Sequence, residues 1–164
     1  MAMRASLNIE LTQTDRPDWL DWCSFGFGLG LLPLAPGTWG SLLGVLLVCL
    51  FQFLPQDLHL PIMLLIYLHS IYACAHTYAW LGNDHKAIVI DEVVGMLVAS
   101  WALPWRLDLL LVSFIAFRCL DIAKPWPICY FEQPRFGFWG VMADDMWAGL
   151  FANLITWVYF YCFF

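Results

Sequence analysis

Long apolar runs broken by short polar punctuation organise this chain. Residues 40–54, 62–81, 88–103, 107–124 and 142–164 each read as an apolar helix. Gln56, Asp57 and His59 mark the first turn, the polar stretch 82–87 the second, Pro104-Trp105-Arg106 the third, and Pro125-Trp126-Pro127 with the loop 128–140 the last. A bilayer crossing takes about 20 apolar residues, so 62–81 and 142–164 are long enough, whereas 40–54 is short unless the preceding stretch extends it. That preceding stretch, CSFGFGLGLLPLAPGTW over 23–39, has Gly26, Gly28, Gly30 and Gly37 with Pro33 and Pro36. Such a sequence opposes a regular helix and predicts irregular backbone leading into a helix near Gly40. The expected fold is all-α: a polytopic membrane protein of about five helices, with this Gly/Pro-rich segment before the first.

Acids interrupt the apolar pattern where nothing ordinary needs them. Asp91 and Glu92 stand inside AIVIDEVVGML, and Asp144-Asp145 open the last helix. A carboxylate at mid-bilayer costs roughly 2.5 to 3.5 kcal/mol on insertion scales, against a return of about 0.3 to 0.6 for each Leu or Ile. With a helix start near Ile88, Asp91 lies only about 4.5 Å along the axis, close to water and to first-turn N–H groups that favour negative charge. A faint echo links VIDEVVG to MADDMWA, in which adjacent acids precede a small residue, Gly95 or Ala148, by about one turn; small residues at that spacing allow close helix approach.

Composition agrees with the pattern. Of 164 residues, 62% are hydrophobic, 18% aromatic and only 12% charged, with a mean hydropathy of +0.73. Residues 1–22 carry Glu10, Asp15, Arg16, Asp18 and Asp21 without a leader-like apolar core, and read as a polar tail before a single membrane-embedded domain over 23–164. The formal charge of −6 and the absence of Lys/Arg clusters exclude a nucleic-acid role, and no segment points to an obligate protein partner. Six cysteines without a C-x-x-C pair read as small packing residues. Basic residues predict orientation: Arg4, Arg16, Lys86, Arg118, Lys124 and Arg135 fall on one side and Arg106 on the other, so the first side is expected to be cytoplasmic.

The same arrangement gathers Asp84, Asp91, Glu92, Asp121, Asp144 and Asp145 on that side. Carboxylates so placed repel one another unless cations join them. Hard oxygen donors without a nearby cysteine suit Mg²⁺ or Mn²⁺ better than zinc. Arg118 and Lys124, with Asp121 at helical spacing between them, add a place for phosphate. Pro36-Gly37-Thr38, ahead of a helix start, offers backbone N–H groups and a hydroxyl to an anion. No D-x-D occurs, which removes aspartyl-phosphate chemistry, and hydrolysis by activated water is the expected reaction. His85 is a candidate acid or base beside Asp84, whereas His69 and His76 read as buried, hydrogen-bonded side chains. A transporter is the rival class, but acids at helix ends on one side do not line a midplane path.

GFGLGLLPLAPGTWGS (26–41), IVIDEVVGM (88–96), FRCLDIAKPWPI (117–128) and GVMADDMWAG (140–149) resemble, in order and spacing, the motifs of the phosphatidylglycerophosphatase A family. The resemblance implies a Mg²⁺-dependent phosphatase of the bacterial cytoplasmic (inner) membrane that converts phosphatidylglycerophosphate to phosphatidylglycerol, with its site on the cytoplasmic side. It implies catalytic roles for Asp84, Asp91, Asp121 and Asp144. It further implies phosphate contacts from Gly37, Thr38, Arg118 and Lys124, and metal ligation by Asp91, Glu92, Asp144 and Asp145. The loop before the last acids departs from the family pattern, with Phe136 and Phe138 where more glycine is expected. Alternatives within the same chemistry are other lipid phosphomonoesters.

Overall fold

The chain begins to fold earlier than the polar tail predicts. In the computed structural model, which describes residues 17–81 and 85–164, a short helix α1 (Trp19–Ser24) follows Asp18. The Asp18 carboxylate accepts from the N–H groups of Leu20 and Asp21 at 2.9 and 3.1 Å, and the Asp21 carboxylate accepts from the Asp18 N–H at 3.0 Å. This reciprocal capping box lets six residues hold a helix. Leu20, Asp21 and Ser24 are buried, so the expected tail gives way to packed structure by Asp18.

Beyond α1 the irregular backbone expected over 23–39 is present but shorter. Gly26, Phe27 and Gly28 have φ of 55°, 57° and 98°, followed by a 3-10 turn at Leu29–Leu31. The Val89 N–H donates to the Ser24 carbonyl at 2.9 Å, and Gly30 lies directly on the Ala87 carbonyl, where a Cβ would collide. This loop is thereby pinned to the residues ahead of the acid pair. Helix α2 (Pro36–Phe51) then starts at Pro36, not Gly40. Proline suits a first helical position because its fixed φ is already helical and its missing N–H would have no partner there.

The remaining expected helices all form, with shifted ends. Helix α3 (Gln56–Leu81) absorbs the polar residues expected to turn and carries Pro61 inside it. Helix α5 (Leu107–Ala123) stops at Lys124, whose φ of 40° is left-handed, just before Pro125. Helix α6 (Phe138–Phe163) begins ahead of residue 142. Helix α4 (Ile90–Ala99) is the main departure: it has 10 residues in place of 88–103. Asn153 of α6 donates to the Ala99 and Trp101 carbonyls at 3.0 and 2.8 Å, satisfying the end of α4 where the helix would otherwise continue.

At about 1.5 Å per residue α4 reaches only about half the thickness of a hydrocarbon core. It is buried along nearly its whole length and packs against α2, α3, α5 and α6. Two glycine crossings make that possible. A Cβ on Gly44 of α2 would stand 2.7 Å from the Met96 Cβ, and one on Gly95 of α4 would stand 2.9 Å from the Asp145 carbonyl of α6. The outer faces are apolar: Leu64, Leu65 and Leu68 of α3 and Leu154, Ile155 and Val158 of α6 are exposed. Among the described residues α3 and α6 are the two helices long and apolar enough to cross a membrane, and only 17% and 22% of their most apolar windows are buried, unlike the core helix of a soluble protein. No β-strand occurs among the described residues.

Candidate active site

The α4–α6 crossing sets the acids against each other. Asp91 precedes Gly95 by four residues and Asp145 precedes Gly149 by four, so each acid lies on the helix face that its glycine brings into contact. Asp91, Glu92 and Asp145 each present a carboxylate oxygen, all within 4.8 Å of one another. Asp91 and Asp145 are buried. Glu92 Oε2 and Asp145 Oδ2 have no hydrogen-bond partner among the described residues. Buried carboxylate oxygens in such a cluster are costly unless a cation joins them. Three hard oxygen donors without sulfur or imidazole fit Mg²⁺ or Mn²⁺, so the residues present suit the cation that the motifs imply.

Arg118 closes one side of this cluster. Its Nη1 donates to Asp121 Oδ2 and, at 3.3 Å, to Ser41 Oγ, while Ser41 donates to the Gly37 carbonyl at 2.8 Å. Ser41 is fully buried, so the first turn of α2 and the Arg118 guanidinium are fixed to one another. A Cβ on Gly37 would collide with Glu92 Oε1 and stand 3.2 Å from both terminal nitrogens of Arg118. Glycine therefore keeps open a small space between the Glu92 carboxylate and the Arg118 guanidinium. Arg118 Nε is buried with no hydrogen-bond partner among the described residues, leaving donor capacity for an anion.

Asp144, one residue from Asp145, points elsewhere, because neighbours on a helix are turned about 100° apart. It accepts from Lys124 Nζ at 2.7 Å and from the Asp145 N–H at 2.9 Å. Lys124 also donates to Glu132 Oε1 at 3.3 Å. Partial burial works against the Lys124 charge, but the hydrogen bond and charge of Asp144, with Glu132 beside it, outweigh burial and raise its pKa above the usual lysine value. The acid pair thus divides its work: Asp145 meets Asp91 and Glu92, and Asp144 holds the lysine.

The sequence-predicted residues are mostly brought together. Asp91, Glu92 and Asp145 converge, with Arg118 and Asp121 against them; Asp144 and Lys124 form an adjoining ion pair. Asp84 lies outside the described residues. Gly37 and Thr38 differ from expectation in position: they lie within the first turn of α2, and the Thr38 N–H is engaged by the Ala35 carbonyl at 2.9 Å. Gly37 contributes space, and Thr38 offers no backbone donor. His85 Nδ1 accepts from the Ala87 N–H at 3.2 Å and shapes the approach to α4. Sequence reasoning missed Ser41 and Glu132. The signal for Ser41 was its place one turn after Gly37, at i+4; nothing local marks Glu132, whose role comes from a loop folding back on Lys124.

His69 stacks on Trp19 with ring centroids 5.6 Å apart, and His76 lies 3.4 Å from both Asp18 and Asp21, so both histidines fasten α1 to α3 as structural side chains.

The family model described as phosphatidylglycerophosphatase A matches residues 22–160. A protein of Haemophilus influenzae named phosphatidylglycerophosphatase A is 40% identical over 136 residues, covering 80% of this chain and 82% of its own length. One of Escherichia coli with the same name is 40% identical over 129 residues, covering 76% and 74%. A Bacteroides thetaiotaomicron protein named "Putative phosphatidylinositol-3-phosphatase" is 32% identical over 141 residues, covering 79% and 86%. No solved structure matches. The chain belongs to the phosphatidylglycerophosphatase A family, a family of phosphatases.

Proposed function

We propose that this protein is a multi-pass phosphatase of the bacterial inner membrane that hydrolyses the terminal phosphate of phosphatidylglycerophosphate, with Mg²⁺ and with its site on the cytoplasmic side. The observation that carries the reading is the convergence of Asp91, Glu92 and Asp145, two of them with unpartnered buried oxygens, beside the Arg118 guanidinium. Two relatives at 40% identity are named for this substrate. The apolar outer faces of α3 and α6 support the membrane, and the basic residues gathered at the acid end support the cytoplasmic side.

The reaction adds water to the phosphomonoester: the water oxygen bonds to phosphorus, the bond from phosphorus to the glycerol oxygen breaks, and a proton ends on that oxygen. Asp91, Glu92 and Asp145 would hold the cation, which when bound polarises the phosphoryl group and acidifies water. Arg118, steadied by Asp121 and Ser41, binds the phosphoryl oxygens and stabilises the charge that develops on them. Lys124, kept cationic between Asp144 and Glu132, offers a second positive group and can exchange Asp144 for substrate. Asp144, so released, would take the proton of the attacking water and pass it to the leaving oxygen, with Asp84 as the other candidate.

The test is phosphate release by detergent-purified protein from phosphatidylglycerophosphate, phosphatidate and lysophosphatidate, with Mg²⁺ and with EDTA. Chelator-sensitive release from the first lipid at a rate well above the others is expected. A second reading, a phosphatase of another lipid phosphomonoester, is favoured by the name of the Bacteroides relative. It would replace the first if phosphatidylinositol 3-phosphate were the better substrate.

A further inference from the structure

A cavity of about 210 Å³ opens beside the ion pair, between α3 and the loop that precedes α6, and Asp144 forms one wall of it. Sites for drug-sized ligands run from about 300 to 1,000 Å³, so this one suits a small polar group and not an acyl chain. Glu132, Gln133 and Tyr78 line it with hydrogen-bonding side chains. Glu132 is also the second acceptor of Lys124, which ties the cavity lining to the ion pair. Gly137, at φ 54° and ψ −139°, borders the opening in a backbone conformation that favours glycine, and a Cβ there would come within 4.0 Å of the Tyr78 hydroxyl.

Resting on the reading above, we infer that this cavity holds the glycerol that carries the scissile phosphate, and that Tyr78 and Gln133 recognise its free hydroxyl. The cavity shares Asp144 with the Lys124 ion pair that the proposed function sets beside the phosphate, so a group one bond removed from that phosphate is the first to reach it. The glycerol is uncharged and bears a single free hydroxyl, which matches a neutral phenol and amide better than further cations would. Phosphatidate has no such glycerol between its phosphate and the diacylglycerol backbone and leaves the cavity to water. Headgroup choice is thereby separated from phosphate chemistry: the α4–α6 acids act on the phosphomonoester, and α3 with the 131–137 loop selects what the phosphate is attached to.

The experiment compares phosphatidylglycerophosphate with its analogue in which propanediol replaces the headgroup glycerol, removing only the free hydroxyl. The unaltered protein should prefer the natural lipid by about 10-fold in kcat/KM, the equivalent of one well-made hydrogen bond. Tyr78→Phe with Gln133→Ala should bring the two substrates to within about 2-fold of one another, mainly by lowering kcat/KM on the natural lipid. Equal rates on both lipids with the unaltered protein would overturn the inference without touching the proposed function. Preference retained in the double variant would assign the hydroxyl to other residues and overturn it as well. Failure of the unaltered protein to hydrolyse either lipid would instead remove the reading on which it rests.

Discussion

Among the described residues two clusters bring three potential metal ligands within 4.8 Å: Asp91, Glu92 and Asp145 at the α4–α6 crossing, and Asp18, Asp21 and His76 between α1 and α3. By spacing alone they are equivalent, but their hydrogen bonds separate them. Around α1 the carboxylates are occupied. Asp18 caps two backbone N–H groups, and Asp21 accepts from the Asp18 N–H at 3.0 Å and from the Thr77 hydroxyl at 2.9 Å. At the crossing, Glu92 Oε2 and Asp145 Oδ2 are buried and have no hydrogen-bond partner among the described residues, and the acids lie against a guanidinium and a glycine that leaves room. Proximity of acids is thus weak ground for a metal site, and the informative observation is the buried carboxylate oxygens of Glu92 and Asp145 that have no partner among the described residues. The first cluster fastens a short helix; the second is the one proposed to take a cation and an anion together.

That contrast can be broken or sharpened by substitution. The largest effect is expected from Asp145→Asn or Asp91→Asn, which should lower turnover by roughly 100-fold or more while the protein still inserts and remains folded, measured as phosphate release beside a size-exclusion profile in detergent. Unchanged turnover in the Asp91 variant would remove that residue from the site. Next comes Arg118→Lys, which keeps the charge but loses the planar fork and the contacts to Asp121 and Ser41; a fall of about 10- to 100-fold in kcat/KM is expected.

Ser41→Ala should cost less, about 10-fold, because Arg118 loses one restraint and the Gly37 carbonyl one donor, and Ser41→Thr should recover part of it. Smallest for catalysis is Thr77→Val, which leaves Asp21 short of a buried donor. It should lower stability by about 1–2 kcal/mol in thermal unfolding yet keep turnover within about 2-fold. A large catalytic loss from Thr77→Val would mean that the α1 cluster also serves the reaction.

The sequence carried the apolar helices and the acid pairs because both are local. Apolar runs persist across whole helices, and Asp91-Glu92 and Asp144-Asp145 contradict their surroundings wherever the helices end. What each acid does was not local. Asp144 and Asp145 are neighbours in the chain, yet one holds Lys124 and the other meets Asp91 and Glu92, a division set by the rotation of α6 against α4. The brevity of α4 was hidden for a similar reason, since Asn153, from another helix, satisfies its terminal carbonyls. At α1 the reading went too far from composition. The polar residues of the expected tail include the D-x-x-D pair that caps a helix, and buried Asp21 finds its partners in Thr77 and His76, far along the chain. The first turn of α2 adds a use with no local signal: Gly37 leaves out the side chain that would stand between Glu92 and Arg118.

The most direct test of the contrast is Mn²⁺ binding to the detergent-purified protein, followed by the loss of the free-ion signal in electron paramagnetic resonance, a readout that does not require turnover. Saturable binding should be present in the unaltered protein and in His76→Ala, and should be lost in Asp145→Asn. Binding that survives Asp145→Asn and disappears in His76→Ala would place the cation between α1 and α3 and contradict the account.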